Sequence, residues 1–594
     1  MDSPKTSLLD MGMALRRFGL IDYIVFAFML LICVVIGIYY GFCAGKTSEA
    51  EYLMGGRKMK TFPVAMSLIA SFISGITLLG TPTEVYLYGV QYCYISISVI
   101  AMAVVVAIAY LPVFHDLKLT STYEYLELRF NKKVRLFGSF LFFIGVMIWL
   151  PIVIYVPALA FNQVTGVNIH IITPAVCIVC IFYTSMGGLK AVVWTDVIQT
   201  LIMLAAMLLI IIKGTMNVGG LSVVWSRSYE TGRIEAPDFS SDPTMRHTAL
   251  TLWVGGFFWW LQVNAVNQNM IQRYLTLPNM RAARFALCIF VIGAMSFLFL
   301  CSYCGLLIFA TYHDCDPLTT KLAVAKDQLL PLLVMDTLKG LPGLPGVFVA
   351  GVFSAALSSL STGLNSMAAV ILEDFYKRCC KHKMSPQQTN IFLKIVVIVL
   401  GTIAVILVFV VEKLGSVLQL SMSLSGMSSG PSLGIFSMGL FFPWINSKGA
   451  LVGGLAGMGF MGWIIGGTQE AIASGNMRFE TKPLTVEGCS YEFVTPTSVY
   501  EVVNSTLHTQ KNDVFILYQM SYLWYTLIGA LVSIFVGLVV SFVTTPLDPA
   551  SVDSTLLSPI IRPYMPKKKD KQDVNMELLH KYNIRNPHIE NETT

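Results

Sequence analysis

The sequence predicts an all-α polytopic membrane protein of about thirteen transmembrane helices, built around two inverted five-helix repeats with broken helices. Three observations predict it. Hydrophobic residues make up 55% of the 594 and charged residues only 12%, a balance outside the range of ordinary soluble chains. Apolar, nearly uncharged segments of spanning length recur near 21–41, 62–89, 92–114, 136–161, 168–186, 191–213, 248–270, 283–311, 344–372, 389–411, 416–442, 449–467 and 519–543. Two of them, the second and the seventh, are interrupted at membrane depth, and they stand five spans apart.

The first segment follows Met1–Asp22, which holds Lys5, Arg16 and Arg17 but no small-residue cleavage site, so it reads as a span and not a signal peptide. Orientation follows from the short loops. Arg57, Lys58 and Lys60, then Lys118 to Arg135, then Arg273, Arg281 and Arg284, then Lys377 to Lys383 fall in alternate connections. The opposite connections, near Tyr88–Tyr92 and Asn162–His170, carry no Lys or Arg. The basic set is expected in the cytoplasm, which places the N-terminus outside and the C-terminus inside. The net charge of +6 therefore reports topology and not nucleic-acid binding.

The second segment runs FPVAMSLIASFISGITLLGTPTEVYLYG. Ser71, Ser74, Gly75 and Thr77 interrupt it halfway, and a helix broken there exposes carbonyls that can bind a cation. The seventh, TLWVGGFFWWLQVNAVNQNMIQRY, offers a comparable break at Gly255-Gly256 and a polar, aromatic face. The ninth carries Ala355, Ser358, Ser359, Thr362 and Ser366 at helical spacing, with Ser354, Ser361 and Asn365 beside them. Small hydroxylic residues let membrane helices approach closely. So many hydroxyls exceed that need and suit oxygen ligands for a hard cation.

The chain divides into an extracellular segment 1–20, a first span and cytoplasmic loop 21–61, a first repeat 62–213, an extracellular loop 214–247, a second repeat 248–443, two further spans with an extracellular loop 468–518 inside 444–545, and a disordered cytoplasmic tail 546–594. Loop 468–518 contains the sequon Asn504-Ser505-Thr506, expected to carry glycan; Asn591, in the tail, is expected bare. Cys315 and Cys489 fall in expected outer loops, where a disulfide is chemically permitted. All eight His lie in loops, tails or span ends, and no paired acids or nucleophile motif occupy the spans, so an enzyme is not expected. No buried Arg or Lys is expected to meet an anion at the midplane; broken-helix dipoles and a co-bound cation must balance it instead.

The run Tyr183-Thr184-Ser185-Met186-Gly187-Gly188-Leu189-Lys190-Ala191, leading to Trp194-Thr195-Asp196, resembles the signature of the sodium/solute symporter family. So do Asn267-Gln268 followed by Gln272-Arg273-Tyr274, the stretch 119–132, and 338–346. Asn162 to Gly166 and Asp314 to Pro317 are similar to the branch of monocarboxylate, multivitamin and iodide carriers. The resemblance spans roughly 20–545 and implies a LeuT-like fold with alternating access. It implies a sodium site made of the carbonyls of Ala70, Ile73 and Ala355 and the hydroxyls of Ser358 and Ser359. Asp196 is implied on the inner sodium route; the plainer reading of that residue is a helix cap. The implied substrate contacts are Phe72, Ser74, Thr77, Trp149, Trp260, Gln268, Leu418 and Ser421. Thr77 departs from the iodide-type pattern, which has Gln there.

The expected function is sodium-coupled symport of a small organic anion, a monocarboxylate such as lactate or a short-chain fatty acid, across the plasma membrane. The alternatives are a multivitamin, iodide or sugar-type substrate, or a solute sensor that does not transport. Sodium is the coupling ion and the only metal expected, with no organic cofactor; the bilayer and the solute are the remaining partners.

Overall fold

A helix satisfies its backbone polar groups within its own segment, which is what a bilayer core demands, and the computed structural model is helical almost throughout. It describes residues 6–7, 18–43, 48–338, 340–379, 384–412, 417–477, 479–492 and 514–566, without the side chains of 6–7, 417–424 and 492. The helices that matter below are α1 (Leu20–Ile38), α2 (Thr61–Phe72), α3 (Gly75–Tyr88), α4 (Ser96–Val105), α5 (Lys132–Thr165), α6 (Ile169–Val218) and α7 (Gly256–Ala265). They continue as α8 (Gln268–Tyr274), α9 (Met280–Thr311), α10 (Leu344–Val370), α11 (Pro386–Val411), α12 (Val417–Phe441), α13 (Ser447–Ala473) and α14 (Tyr525–Val543). Among the described residues nine helices are long and apolar enough to cross a membrane, and ten if the bent pair α2–α3 counts as one span. A two-residue parallel strand pair, Thr6–Ser7 with Tyr491–Glu492, is the sheet among the described residues.

α2 and α3 meet at an angle of 57°. Ile73 and Ser74 adopt extended backbone there, and Ser74 caps α3 by accepting from the Thr77 amide at 3.4 Å. α6 is likewise broken where Gly188 takes φ 56°, tucked against Tyr52, where a Cβ would meet the Tyr52 carbonyl oxygen at 2.8 Å.

The seventh segment breaks in a different place from the one its glycines suggest. Gly255 and Gly256 are both helical, and they serve close approach: a Cβ on Gly255 would meet the Leu523 carbonyl oxygen at 2.7 Å. The interruption falls at Val266 and Asn267, between α7 and α8, where the Asn267 side chain accepts from the Asn269 amide. An Asn side chain accepting from the amide two residues on favours a new helix start there.

α10 lies at the centre, buried along almost its whole length, against α6, α5, α1 and α2. The Asp22 carboxylate of α1 accepts from the Gly343 and Gly346 amides at its start. Cys315 and Cys489 are joined by a disulfide across 174 residues of sequence. The tail is not free from its first residue: Leu547 donates its amide to Trp444, Ser558 donates to Leu440, and Leu557 is fully buried. Apolar residues spaced through the polar 546–566 stretch hold it on the helix ends; 567–594 and both sequons, Asn504 and Asn591, lie outside the described residues.

Candidate functional site

α2 stops at Phe72, so its last carbonyls lose their helical partners. The carbonyl of Ala70 is taken instead by α10: Ser358 donates its hydroxyl to it at 2.7 Å and also lies 3.0 Å from the Ala355 carbonyl. Ala70, Ala355, Ser358 and Ser359 are all fully buried, and Ile73 stands just beyond the end of α2 at 1% exposure. The Ser359 hydroxyl has no partner, nor do those of Ser354 and Ser366. A buried hydroxyl without a partner costs free energy unless something fills its place. These carbonyl and hydroxyl oxygens, gathered around a helix break, have the chemistry that suits a monovalent cation.

Beside it a cavity of about 190 Å³ opens along the break. Phe72, Ser74, Thr77, Trp149 and Trp260 all line it, as does Ile73. Phe72 stacks on Trp260 with ring centroids 4.2 Å apart, giving one wall an aromatic face. The structure therefore brings five of the eight expected substrate positions together. Leu418 and Ser421 belong to α12, but their side chains fall outside the described residues.

Gln268 is elsewhere. Its carbonyl oxygen accepts from the Thr122 amide at 2.7 Å and from the Thr122 hydroxyl at 2.6 Å, while its amide nitrogen donates to the Thr120 carbonyl. It is fully buried and does not face the cavity. α8 begins at Gln268, so its side chain points to the loop that precedes α5, while its neighbours Asn267 and Asn269 line the cavity.

Asp196 is not a helix cap. It lies within α6 beyond the Gly188 break, fully buried, accepting from Ser67 at 2.5 Å and pairing with Arg273 at 3.3 Å. Arg273 also donates to the Ser67 hydroxyl, to the Asn269 carbonyl and to Thr362 on α10, and Thr362 bonds Ser71 at 2.8 Å. One Asp196 oxygen, Oδ1, has no partner. Arg273, expected among the basic residues of a cytoplasmic loop, is instead 0% exposed, held inside by a carboxylate 77 positions away. Its charge is spent on Asp196 and it does not line the cavity.

Four serines of α12, Ser425, Ser428, Ser429 and Ser432, also line the cavity, facing the break. Their spacing is the helical period that marked α10, and the same pattern in the run SMSLSGMSSGPS announces them. Glu84 and Tyr92 stand at one end.

The chain matches the model of the sodium:solute symporter family over residues 52–457. Sodium-coupled monocarboxylate transporter 1 of Xenopus laevis is 42% identical over 533 residues, covering 88% of this chain and 85% of that protein. The human protein of the same name is 40% identical over 550 residues, covering 90% and 89%. The sodium-dependent multivitamin transporter of Oryctolagus cuniculus is 38% identical over 550 residues, covering 91% and 85%. Among solved structures, a Na+-coupled sialic acid symporter in a substrate-bound outward-open state superposes with a TM-score of 0.72 at 24% identity, covering 90% of this chain and all of that one. That likeness establishes the LeuT-like fold. The relatives are transporters and not enzymes, and this chain, a sodium-coupled solute symporter, belongs to the sodium:solute symporter family.

Proposed function

We propose that this symporter imports a small organic anion, a monocarboxylate such as lactate or a short-chain fatty acid, across the plasma membrane. The carrying observation is the cavity itself: an aromatic wall of Phe72, Trp149 and Trp260 faces hydroxyls of Ser74, Thr77 and the α12 serines. No Lys or Arg lines it among the described residues. An aliphatic chain buries itself on such a wall. Its carboxylate is then balanced by co-bound sodium and by the start of α3, whose backbone dipole favours anions. Sodium, held by Ala70, Ile73, Ala355, Ser358 and Ser359, binds first, and Asp196 receives it on the inner route through its free Oδ1. The names of the monocarboxylate relatives support this reading.

The same reading gives the chain thirteen spans in a 5+5 inverted repeat, with the N-terminus outside, the C-terminus inside, and glycan on Asn504. The deciding test of substrate class is competition for uptake by butyrate, its uncharged amide and glucose at fixed sodium and voltage. Butyrate alone should compete; equal competition by the amide or glucose rejects recognition of the carboxylate. A glycosidase shift lost in Asn504→Gln checks the orientation.

A further inference from the structure

Glu84 sits near the far end of α3, lines the cavity, and keeps only 6% of its side chain exposed. A carboxylate there needs a partner, and it draws one from outside the helix bundle. Arg246, in the loop between α6 and α7, donates through Nε to one Glu84 oxygen at 2.5 Å and through Nη2 to the other at 3.1 Å. The guanidinium is roofed by Tyr88 and Phe479, each 4.7 Å from its centre, and by Tyr522 at 5.3 Å.

Three loop segments share this roof, those of Arg246, Phe479 and Tyr522. Ser521 donates its amide to the Pro243 carbonyl and its hydroxyl to the Arg246 carbonyl, and His247 lies 3.1 Å from the Tyr522 hydroxyl and 3.5 Å from Glu84. The cavity is thus closed at this end by loop residues pinned to a helix through one buried charge pair.

We propose that the Glu84–Arg246 pair is the extracellular latch of the solute cavity, released when the 231–250 and 515–524 loops lift to admit solute. Breaking one partner of a buried pair leaves the other charge unpaired in a low-dielectric site. The closed form is the one that suffers, because opening lets water reach the lone charge. The latch rests on the orientation proposed above and is independent of which solute is carried.

The test is the accessibility of a cysteine placed in the cavity wall, Val263→Cys, to a membrane-impermeant thiol reagent applied to intact cells and, separately, to inside-out vesicles. In that background Arg246→Gln and Glu84→Gln should each raise labelling from the outside by roughly tenfold over the Val263→Cys parent, as a shifted open–closed equilibrium requires. The exchange Glu84→Arg with Arg246→Glu should bring labelling back toward the parent. Glu84→Gln keeps the side-chain shape, so it remains readable if Arg246→Gln does not reach the surface. Parental labelling from both sides in a variant present at the surface overturns the latch. An increase confined to the vesicle side upholds the latch and inverts the orientation instead.

Discussion

The Ser358 hydroxyl donates to the Ala70 carbonyl at 2.7 Å, joining the central, almost wholly buried helix α10 to the broken end of another 288 residues away in sequence. This contact couples two halves of the protein through a single oxygen that a cation can take over. The hydroxyl satisfies the carbonyl in the structure; under the proposed sodium site both groups would turn to the ion.

Replacing Ser358 and Ser359 together by Ala removes two oxygens and changes volume little. The sodium concentration for half-maximal transport should rise roughly tenfold or more, since each lost polar ligand in a buried site is worth about 1–3 kcal/mol. Surface abundance should stay near normal. Sodium titration of uptake in cells with matched surface expression checks this; an unchanged titration places the ion elsewhere.

Asp196 and Arg273 form a buried pair 3.3 Å apart. Either Asp196→Asn or Arg273→Gln should lower the apparent stability by roughly 3–5 kcal/mol, because an uncompensated charge remains. The double variant should lose less than the sum of the two, the mark of a direct interaction. Thermal unfolding of purified protein measures all three; additive losses show that the two residues act independently.

Gln268 ties α8 to Thr120 and Thr122. Gln268→Ala strands the Thr122 amide and should reduce surface abundance or maximal rate while leaving the half-saturating solute concentration unchanged. Initial-rate uptake over a range of solute concentrations separates the two. A raised half-saturation at full maximal rate restores Gln268 to the binding site.

Burial lowers His247 from its ordinary value of 6.5 to about 4, with Arg246 adding to the effect and Glu84 opposing it. Its other neighbours are Tyr88, Tyr92 and Tyr522. The folded loop therefore binds fewer protons than the unfolded chain between these two values. The stabilisation by neutral His247 is fully present above pH 6.5 and is lost as pH falls toward 4. Thermal stability should decline across that window in the parent and decline less in His247→Gln; parallel slopes refute the assignment.

Class, broken helix and the buried hydroxyl stripe of α10 were all legible in the sequence, because hydrophobicity and the 3.6-residue period are properties of one segment at a time. The same period in α12 was equally legible and marks Ser425 to Ser432 on the cavity. Only the tertiary structure decided what depends on which segments meet. It joined Cys315 to Cys489, sent Gln268 toward Thr122 while Asn269 faced the cavity, and moved the seventh segment's interruption from Gly255 to Val266. It also took Arg273, a basic residue near a span end, and buried it against Asp196. The physical reason is that a charge enters a low-dielectric interior only where a partner waits, and that partner comes from another helix whose docking no local pattern records.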